Sequence, residues 1–246
     1  MLELYHDWRS FCSIKVRICL AEKQLPWTSR FVDLMNLEHT RPEYLSLNPN
    51  GVVPTLVHDG VPIVESTVIN EYLEDVFPEF SLVPANHVER ARMRAWVKFE
   101  DDVLHPSIRP ATFMLMMGQE LAQLSDEALE KQLALHPNQK RADEYRKVAR
   151  SPVDTEAVDS AKQLMRKAIE RMDSQLTETP WLAGDTYSLA DVAAAPFVDR
   201  LEQLNFVGLW EDKPGLVAWI DRLKARDSYS ESMPREDQRF SVRSAA

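Results

Sequence analysis

Residues 48–67 combine backbone and side-chain groups that could bind a small, charged, peptide-like ligand. Val53 precedes Pro54 and is therefore biased to an extended conformation just before an apolar strand-like run. Asp59 and Gly60 predict the turn of a hairpin, and Glu65 and Ser66 follow its second strand at the start of a predicted helix. An extended backbone beside a helix N-terminus offers partners for both the amide groups and a carboxylate of such a ligand.

Three further residues, Ser10, Cys12 and Ser13, lie in the predicted turn between the first strand and the first helix. A hydroxyl group there can donate a hydrogen bond to a nucleophilic anion, and a helix N-terminus adds favourable electrostatics. A cysteine at a helix start can have a lowered pKa and react itself. The residue types alone leave all three as candidates.

The elements that would position these groups fall into two parts. Before residue 84, strand-like runs alternate with helical patterns in the order β-α-β-loop-β-β-α, which predicts a small α/β domain with helices packed on a mixed sheet. The predicted strands cover residues 2–5, 27–34, 55–58 and 62–64, and the first predicted helix covers residues 14–23.

The remainder of the chain shows helical periodicity. A long pattern covers residues 88–117, where Pro106 and Pro110 allow for an interruption, and another covers residues 155–177. Ser188 and Asp191 have the spacing of a capping box, and Pro214 is placed for the first turn of a last helix. The second domain is therefore predicted to be all-helical.

Residues 118–154 are strongly polar, and we interpret them as extensions of two helices joined by a solvated loop. The alternative is a lid or wall over a substrate pocket. The last residues, 241–246, are predicted to be a looser tail.

Composition excludes several classes of function. The chain of 246 residues is 44% hydrophobic and 28% charged, as in soluble globular proteins, and its net charge of −10 argues against nucleic acid or an anionic membrane as partner. No stretch has the pattern of a membrane span or a secretory signal. Two cysteines are too few for a disulfide framework, and no Cys/His cluster has metal-ligand spacing. We expect a cytoplasmic enzyme without a metal.

The motif N-P-x-x-x-V-P followed by E-S, together with the S-L-A-D cap, resembles the cytosolic glutathione transferases that use a serine. This resemblance spans essentially the whole chain. It implies a thioredoxin-like α/β domain over residues 1–84 that binds glutathione as cosubstrate, and an all-α domain over residues 85–246 that completes the pocket for a second substrate. It also implies a homodimer.

The resemblance implies a role for each residue of the first motif. The backbone of Val53 would pair with the cysteinyl unit of glutathione, next to a cis Pro54. Glu65 would pair with the γ-glutamyl ammonium group, and Ser66 with the helix N-terminus would receive the γ-glutamyl carboxylate. Ser66 could also be an ordinary N-cap.

The sequence offers fewer binding partners for the glycyl end of glutathione. His39 has the position of a glutathione-binding histidine in theta-class relatives, and we interpret it as a ligand rather than an exposed loop residue. Many relatives carry a lysine at Gly51 or Val52 that contacts the glycyl carboxylate, and this chain has none there. His39 or another basic residue would have to compensate.

Two alignments select Ser10 as the residue that activates the glutathione thiol. The segment L-E-L-Y-H-D-W-R-S is similar to the theta-class pattern, and R-S-F-C-S-I-K-V-R-I is similar to the zeta-class pattern. Cys12 is the rival, because it could form a mixed disulfide with glutathione as omega-class proteins do. Ser13 is the third candidate and is interpreted as the N-cap of the first helix.

Four functions fit this resemblance, and we expect the first: attack of the thiolate on a small hydrophobic electrophile. The others are a β-etherase, which the run E-S-T-V-I-N-E-Y-L-E-D-V-F-P-E resembles, a zeta-like isomerase, and a non-catalytic glutathione-binding protein. Apolar residues of the second domain are expected to line the acceptor pocket, namely Ile108, Phe113, Met114, Leu115, Met117 and Phe197.

Overall fold

A four-stranded mixed sheet forms the first part of the chain in a computed structural model, which describes residues 1–242. Its strand order is β2-β1-β3-β4, with β1 parallel to β2 and antiparallel to β3, and with β3 and β4 forming a hairpin. Leu4 and Leu56 face each other in neighbouring strands and are fully buried. The strands are β1 (Leu2–His6), β2 (Trp27–Phe31), β3 (Thr55–His58) and β4 (Val61–Val64).

Helices pack on both faces of this sheet and make up most of the rest of residues 1–242. The α-helices are α1 (Phe11–Glu22), α2 (Pro42–Leu45), α3 (Ser66–Val76), α4 (His87–Phe99), α5 (His105–Thr112), α6 (Gly118–Leu121), α7 (Asp126–Leu133), α8 (Gln139–Arg150), α9 (Thr155–Leu176), α10 (Leu189–Gln203), α11 (Pro214–Lys224) and α12 (Asp227–Ser232). Single 3₁₀ turns occur at Glu38–Thr40, Pro78–Phe80, Val207–Leu209 and Glu236–Gln238.

The predicted architecture, a thioredoxin-like α/β domain followed by an all-helical domain, is confirmed. The second strand is shorter than predicted, because Asp33 accepts hydrogen bonds from the backbone N–H groups of Met35 and Asn36 and turns the chain. Among residues 1–242, no helix is long and apolar enough to cross a membrane. Most of the predicted loose tail lies beyond the described residues.

The helix predicted over residues 88–117 runs without a break from α4 to α6. Pro106 and Pro110 do not interrupt it, contrary to the interruption that the sequence allowed. Two π-helical segments, Glu100–Leu104 and Phe113–Met117, flank α5 and rearrange the backbone hydrogen bonds on either side of the prolines. α5 also packs against α9 and α10, and its residue Ile108 is 1% exposed, so tertiary packing stabilises this path.

A buried carboxylate organises the start of α10 as the capping motif predicts. Ser188 and Asp191 form a full capping box, in which the Ser188 N–H donates to Asp191 Oδ2 at 3.0 Å. Asp191 Oδ1 also accepts from the Leu182 N–H at 3.0 Å and from Trp219 Nε1 at 2.9 Å. Burial raises the pKa of Asp191 to about 6. One side chain thus joins α10, α11 and the preceding loop.

Replacing Asp191 with alanine should therefore destabilise the whole chain. Asp191→Ala leaves buried donors without partners, and we expect the free energy of unfolding to fall by about 3–5 kcal/mol. Urea denaturation followed by circular dichroism measures this change. The exposed Asp185 provides the control, and Asp185→Ala should change stability by less than about 0.5 kcal/mol. Equal effects of the two substitutions would contradict the structural role.

Candidate active site

A cavity of about 1220 Å³ lies between the sheet domain and the helical domain. The turn after β1, the segment before β3 and the start of α3 form one side of it, and α5 and the start of α8 form the other. All the predicted site residues except Ser13 line this cavity. The structure therefore brings together groups that lie far apart in the sequence.

Ser10 is the N-cap of α1 and faces the cavity. Its Oγ accepts a hydrogen bond from the Ser13 N–H at 3.3 Å, so its own proton remains available for a ligand. The first turn of α1 contains no acidic residue that would offset the positive end of the helix. A serine held in this way can donate a hydrogen bond to a bound anion.

Ser13 is not the N-cap that the sequence predicted. The helix begins at Phe11, three residues earlier than the apolar pattern indicated, so Ser10 takes the capping position. Ser13 is fully buried, and its Oγ has no hydrogen-bond partner in residues 1–242. It contributes its backbone N–H to the turn, and its side chain does not reach the cavity.

Cys12 lines the cavity in the first turn of α1, but its environment differs from the one expected. Burial raises the pKa of the Cys12 thiol, although the ammonium group of Lys15 opposes this effect. Its Sγ lies 4.0 Å from Nδ1 of His105, and burial lowers the pKa of that imidazole to about 4. The lowered pKa expected from the helix start is therefore wrong.

The Val53–Pro54 peptide is cis, as the resemblance implied. The carbonyl of Val52 accepts hydrogen bonds from the Tyr44 hydroxyl at 2.5 Å and from Asn48 Nδ2 at 2.8 Å. Within the described residues, the N–H and C=O of Val53 have no hydrogen-bond partner. A ligand with an extended backbone could therefore pair with Val53 as an additional strand would.

Glu65 and Ser66 line the cavity at the start of α3. Glu65 has a positive φ of 68° and occupies the N-cap position without making a side-chain capping bond. Ser66 is the first residue of the helix, so its interpretation as an N-cap is wrong. The Glu65 carboxylate and the first N–H groups of α3 are both placed at the cavity.

His39 reaches the cavity, where burial disfavours a positive charge on its ring. Its side chain is 1% exposed, and neither ring nitrogen has a hydrogen-bond partner in residues 1–242. Burial lowers the pKa of His39 to about 3, and the charges of His136 and Arg141 act in the same direction. Burial therefore disfavours the positive charge expected from His39, and another basic residue of the cavity is the better candidate for it.

The polar segment 118–154 extends the long helix through α6, as predicted, but it then folds into α7 and α8 instead of a solvated loop. Residues 137–141 form a wall of the cavity, which agrees with the alternative interpretation. Pro137 lies directly against the backbone of the segment before β3. A Cβ atom on Gly51 would be 3.0 Å from Pro137 Cγ.

Three of the six residues predicted for the acceptor pocket line the cavity. Ile108, Phe113 and Met117 line the cavity, whereas Met114 does not. Leu115 and Phe197 are 2% and 1% exposed and belong to the helical core instead. The π-helical segment Phe113–Met117 changes which side chains face the cavity, and helical periodicity does not predict such a shift.

The sequence patterns did not predict several residues that line the cavity. Asp101 accepts a hydrogen bond from Thr67 Oγ1 at 2.8 Å, and the His105 ring stacks on Phe11 with 4.9 Å between centroids. Asp101 and His105 lie in or beside the first π-helical segment, where a regular helical pattern does not predict which side chains face the cavity. Other missed residues include Lys140, Arg141, Tyr145, Arg200 and Phe240.

A thioredoxin-like domain joined to an all-helical domain, with an active-site cavity between them, defines the general class of this protein. Family models extend this conclusion to the sequence: "Glutathione S-transferase, N-terminal domain" matches residues 9–76, and "Glutathione S-transferase, C-terminal domain" matches residues 104–227. The chain belongs to the glutathione transferase family. It is an enzyme, and glutathione is its cosubstrate.

Individual relatives match nearly the full chain. Protein LigF of Sphingobium sp. strain SYK-6 is 33% identical over 94% of this chain and 92% of its own length. The crystal structure of that protein, described as a β-etherase, superimposes with a TM-score of 0.86 over 94% of this chain and 98% of its own. The tetrachloro-p-hydroquinone reductive dehalogenase of Sphingobium chlorophenolicum is 28% identical, with 93% and 94% of the two chains covered.

The raised pKa of Cys12 gives a direct prediction about its reactivity. Iodoacetamide should alkylate Cys12 more slowly at pH 7.5 than it alkylates free cysteine, and the rate should rise through pH 9, because only the thiolate reacts. Mass spectrometry measures the label. The matched control is Cys12→Ser, which retains the fully buried Cys19. Rapid labelling of Cys12 at pH 6.5 would contradict the prediction.

Proposed function

We propose that this enzyme uses Ser10 to stabilise the thiolate of glutathione for nucleophilic attack on a small hydrophobic electrophile. The observation that carries this proposal is the geometry of Ser10. Its Oγ accepts a backbone hydrogen bond at 3.3 Å at the N-terminus of α1, and Ser10 lines the cavity. The remaining hydroxyl proton can then be donated to a sulfur anion.

Ser10 and the N-terminus of α1 can together supply the free energy needed to stabilise the glutathione thiolate. A thiol with a pKa of about 8.5 forms little thiolate at neutral pH, and lowering that pKa by about two units requires about 2.7 kcal/mol. A hydrogen bond to an anion contributes about 1.5–3 kcal/mol, and a helix N-terminus contributes up to about 1 kcal/mol more at an exposed site. Ser10 combines both contributions. Cys12 shares the helix N-terminus, but a thiol is a weaker hydrogen-bond donor than a hydroxyl group, and Ser13 is buried away from the cavity.

The other predicted residues would hold the peptide part of glutathione. Val53, beside cis Pro54, would exchange backbone hydrogen bonds with the cysteinyl unit, because its own N–H and C=O are available among residues 1–242. Glu65 would pair with the γ-glutamyl ammonium group, and Ser66 with the first N–H groups of α3 would receive the γ-glutamyl carboxylate. We assign these residues to a glutathione-binding domain of residues 1–84, and the acceptor pocket to residues 85–246.

The acceptor side of the cavity favours an aromatic electrophile. Phe11, Ile108, Phe113 and Met117 provide apolar and aromatic contacts there. In the proposed step, the sulfur forms a bond to an electrophilic carbon while that carbon loses its leaving group, which departs with the bonding electrons. The thiol proton passes to solvent or to the leaving group.

β-Ether cleavage is a second candidate, and the similarity to LigF favours it. A protein described as a β-etherase matches 94% of this chain with a TM-score of 0.86. The same thiolate would attack the carbon that carries an aryl ether. A carbon–sulfur bond would form, the carbon–oxygen bond would break, and an aryloxide would leave and take up a proton.

We further propose a homodimeric assembly and a cytoplasmic location, on the resemblance to the family. Sedimentation equilibrium at micromolar concentration would distinguish the dimer from the monomer of 28.3 kDa.

Ser10→Ala tests the thiolate role. We expect turnover to fall by about 100-fold, because a hydrogen bond to the thiolate of about 2–3 kcal/mol is lost, while the Kd of glutathione changes little. Absorbance of the bound thiolate near 240 nm should decrease at pH 7. Cys12→Ala is the matched control and should retain most of the turnover. If Cys12→Ala abolishes turnover and Ser10→Ala does not, Cys12 activates the thiol and the proposal for Ser10 is wrong.

A panel of acceptors separates the candidate reactions. The purified enzyme is assayed with a chlorinated aromatic compound, a β-aryl ether and a maleyl compound, each with glutathione. Turnover of the chlorinated compound supports general transfer, and release of a phenol from the ether supports β-etherase activity. Exclusive isomerisation of the maleyl compound would support a zeta-like isomerase, and binding of glutathione without any turnover would support a non-catalytic protein.

A further inference from the structure

We propose that Arg141, assisted by Lys140, binds the glycyl carboxylate of glutathione. These residues belong to the wall formed by residues 137–141 and lie in the helical domain, outside the thioredoxin-like domain. The assignment rests on the glutathione-binding mode proposed above. It identifies the cation that the sequence lacks at Gly51 and Val52.

Steric contacts explain why the cation comes from the helical domain. Gly51 has a φ of +58°, and a Cβ atom there would lie 3.0 Å from Pro137 Cγ and 3.1 Å from Pro137 Cδ. A lysine at that position would be strained and would collide with the wall. Pro137 therefore occupies the space beside Gly51, and the residues that follow it face the cavity in its place.

The start of α8 carries two cations that no acidic residue of its own first turn neutralises. Lys140 and Arg141 lie in the first turn, which contains no acidic residue, and the helix dipole disfavours cations at that end. Neither side chain forms an ion pair or a hydrogen bond within the part of the chain that the structure describes. Later in the same helix, Arg146 pairs with Glu130 at 3.0 Å and Arg150 with Asp126 at 2.6 Å.

A chain of contacts fixes this turn beside the segment that binds the cosubstrate. The rings of His39 and His136 lie 5.9 Å apart, and His136 Nδ1 accepts from the Asn138 N–H at 2.9 Å. Asn138 caps α8 by accepting from the Arg141 N–H at 3.2 Å. His39 is an independent sign of a ligand here, because it lines the cavity while both of its buried nitrogens lack partners in the described chain.

The direction of the bound peptide selects the glycyl carboxylate. With the cysteinyl unit on Val53 and the γ-glutamyl end at Glu65 and Ser66, the glycyl end extends to the other side of Val53. Gly51 and the wall of residues 137–141 border the cavity on that side. Neutral His39 can donate or accept one hydrogen bond there, while Arg141 supplies the charge and can bind a carboxylate in a bidentate manner.

The test compares glutathione with its glycyl monoethyl ester in the wild-type enzyme and in Arg141→Gln. Isothermal titration calorimetry gives the Kd of each ligand, so the readout does not require turnover. We expect Arg141→Gln to weaken glutathione binding by about tenfold and to leave the affinity for the ester within about twofold. Lys140→Gln should also weaken the binding of glutathione and not of the ester, but by a smaller factor.

Lys147→Gln is the matched control, since it removes one positive charge from the same helix at an exposed position outside the cavity lining. It should change neither affinity. Equal weakening of both ligands by Arg141→Gln, no weakening of either, or the same loss in Lys147→Gln would overturn the proposal. Loss of affinity for a carboxylate-bearing acceptor alone would assign Arg141 to the second substrate and also overturn it.

The calorimetric test of Arg141 and the turnover test of Ser10 can fail independently of each other. If Ser10→Ala retains full turnover, the thiolate mechanism is wrong, but the calorimetric comparison of the two ligands is unaffected. If Arg141→Gln fails the comparison while Ser10→Ala is inactive, the mechanism stands and the glycyl assignment is wrong. Thermal unfolding of each variant checks that Arg141→Gln retains the fold of the wild-type enzyme.

Discussion

The buried ammonium group of Lys15 connects the three elements that surround the active-site cavity. Lys15 lies on α1 and is 1% exposed, and it contacts Glu100, Asp101 at 3.0 Å and Thr67 Oγ1 at 2.7 Å. Removing one partner of a buried ion pair typically costs about 3–5 kcal/mol, so these contacts strongly favour a single arrangement. The relative positions of the α1 turn, the start of α3 and the first π-helical segment all depend on this cluster.

Features determined by local sequence could be predicted well. The hairpin and the capping box at Ser188 each depend on residues within a few positions of one another, whereas the cis form of Pro54 was implied only by the family resemblance. Ser10 shows the limit of such patterns. Ser10 and Ser13 both lie near the start of α1, and the one that caps it depends on where the helix begins. Packing of Phe11 against the helical domain helps to decide this.

Features determined by contacts between distant segments could not be predicted. His39 was expected to supply a charge to the ligand, but His136 and Tyr145 cover it from the helical domain. The polar composition of residues 118–154 suggested solvent, although polar side chains can equally well face a ligand cavity. Helical periodicity also failed within the π-helical segments, because one additional residue per turn shifts the facing of everything around it.

The contact between Gly51 and Pro137 makes two distant segments interdependent in any recombined protein. Transfer of residues 118–154 into a relative with a larger residue at the position of Gly51 would bring a β-carbon to about 3.0 Å from the proline ring. Transfer of a lysine-bearing loop into this chain would cause the same collision. The loop and the helical wall therefore have to be exchanged together, as one module whose two halves lie more than eighty positions apart in the sequence.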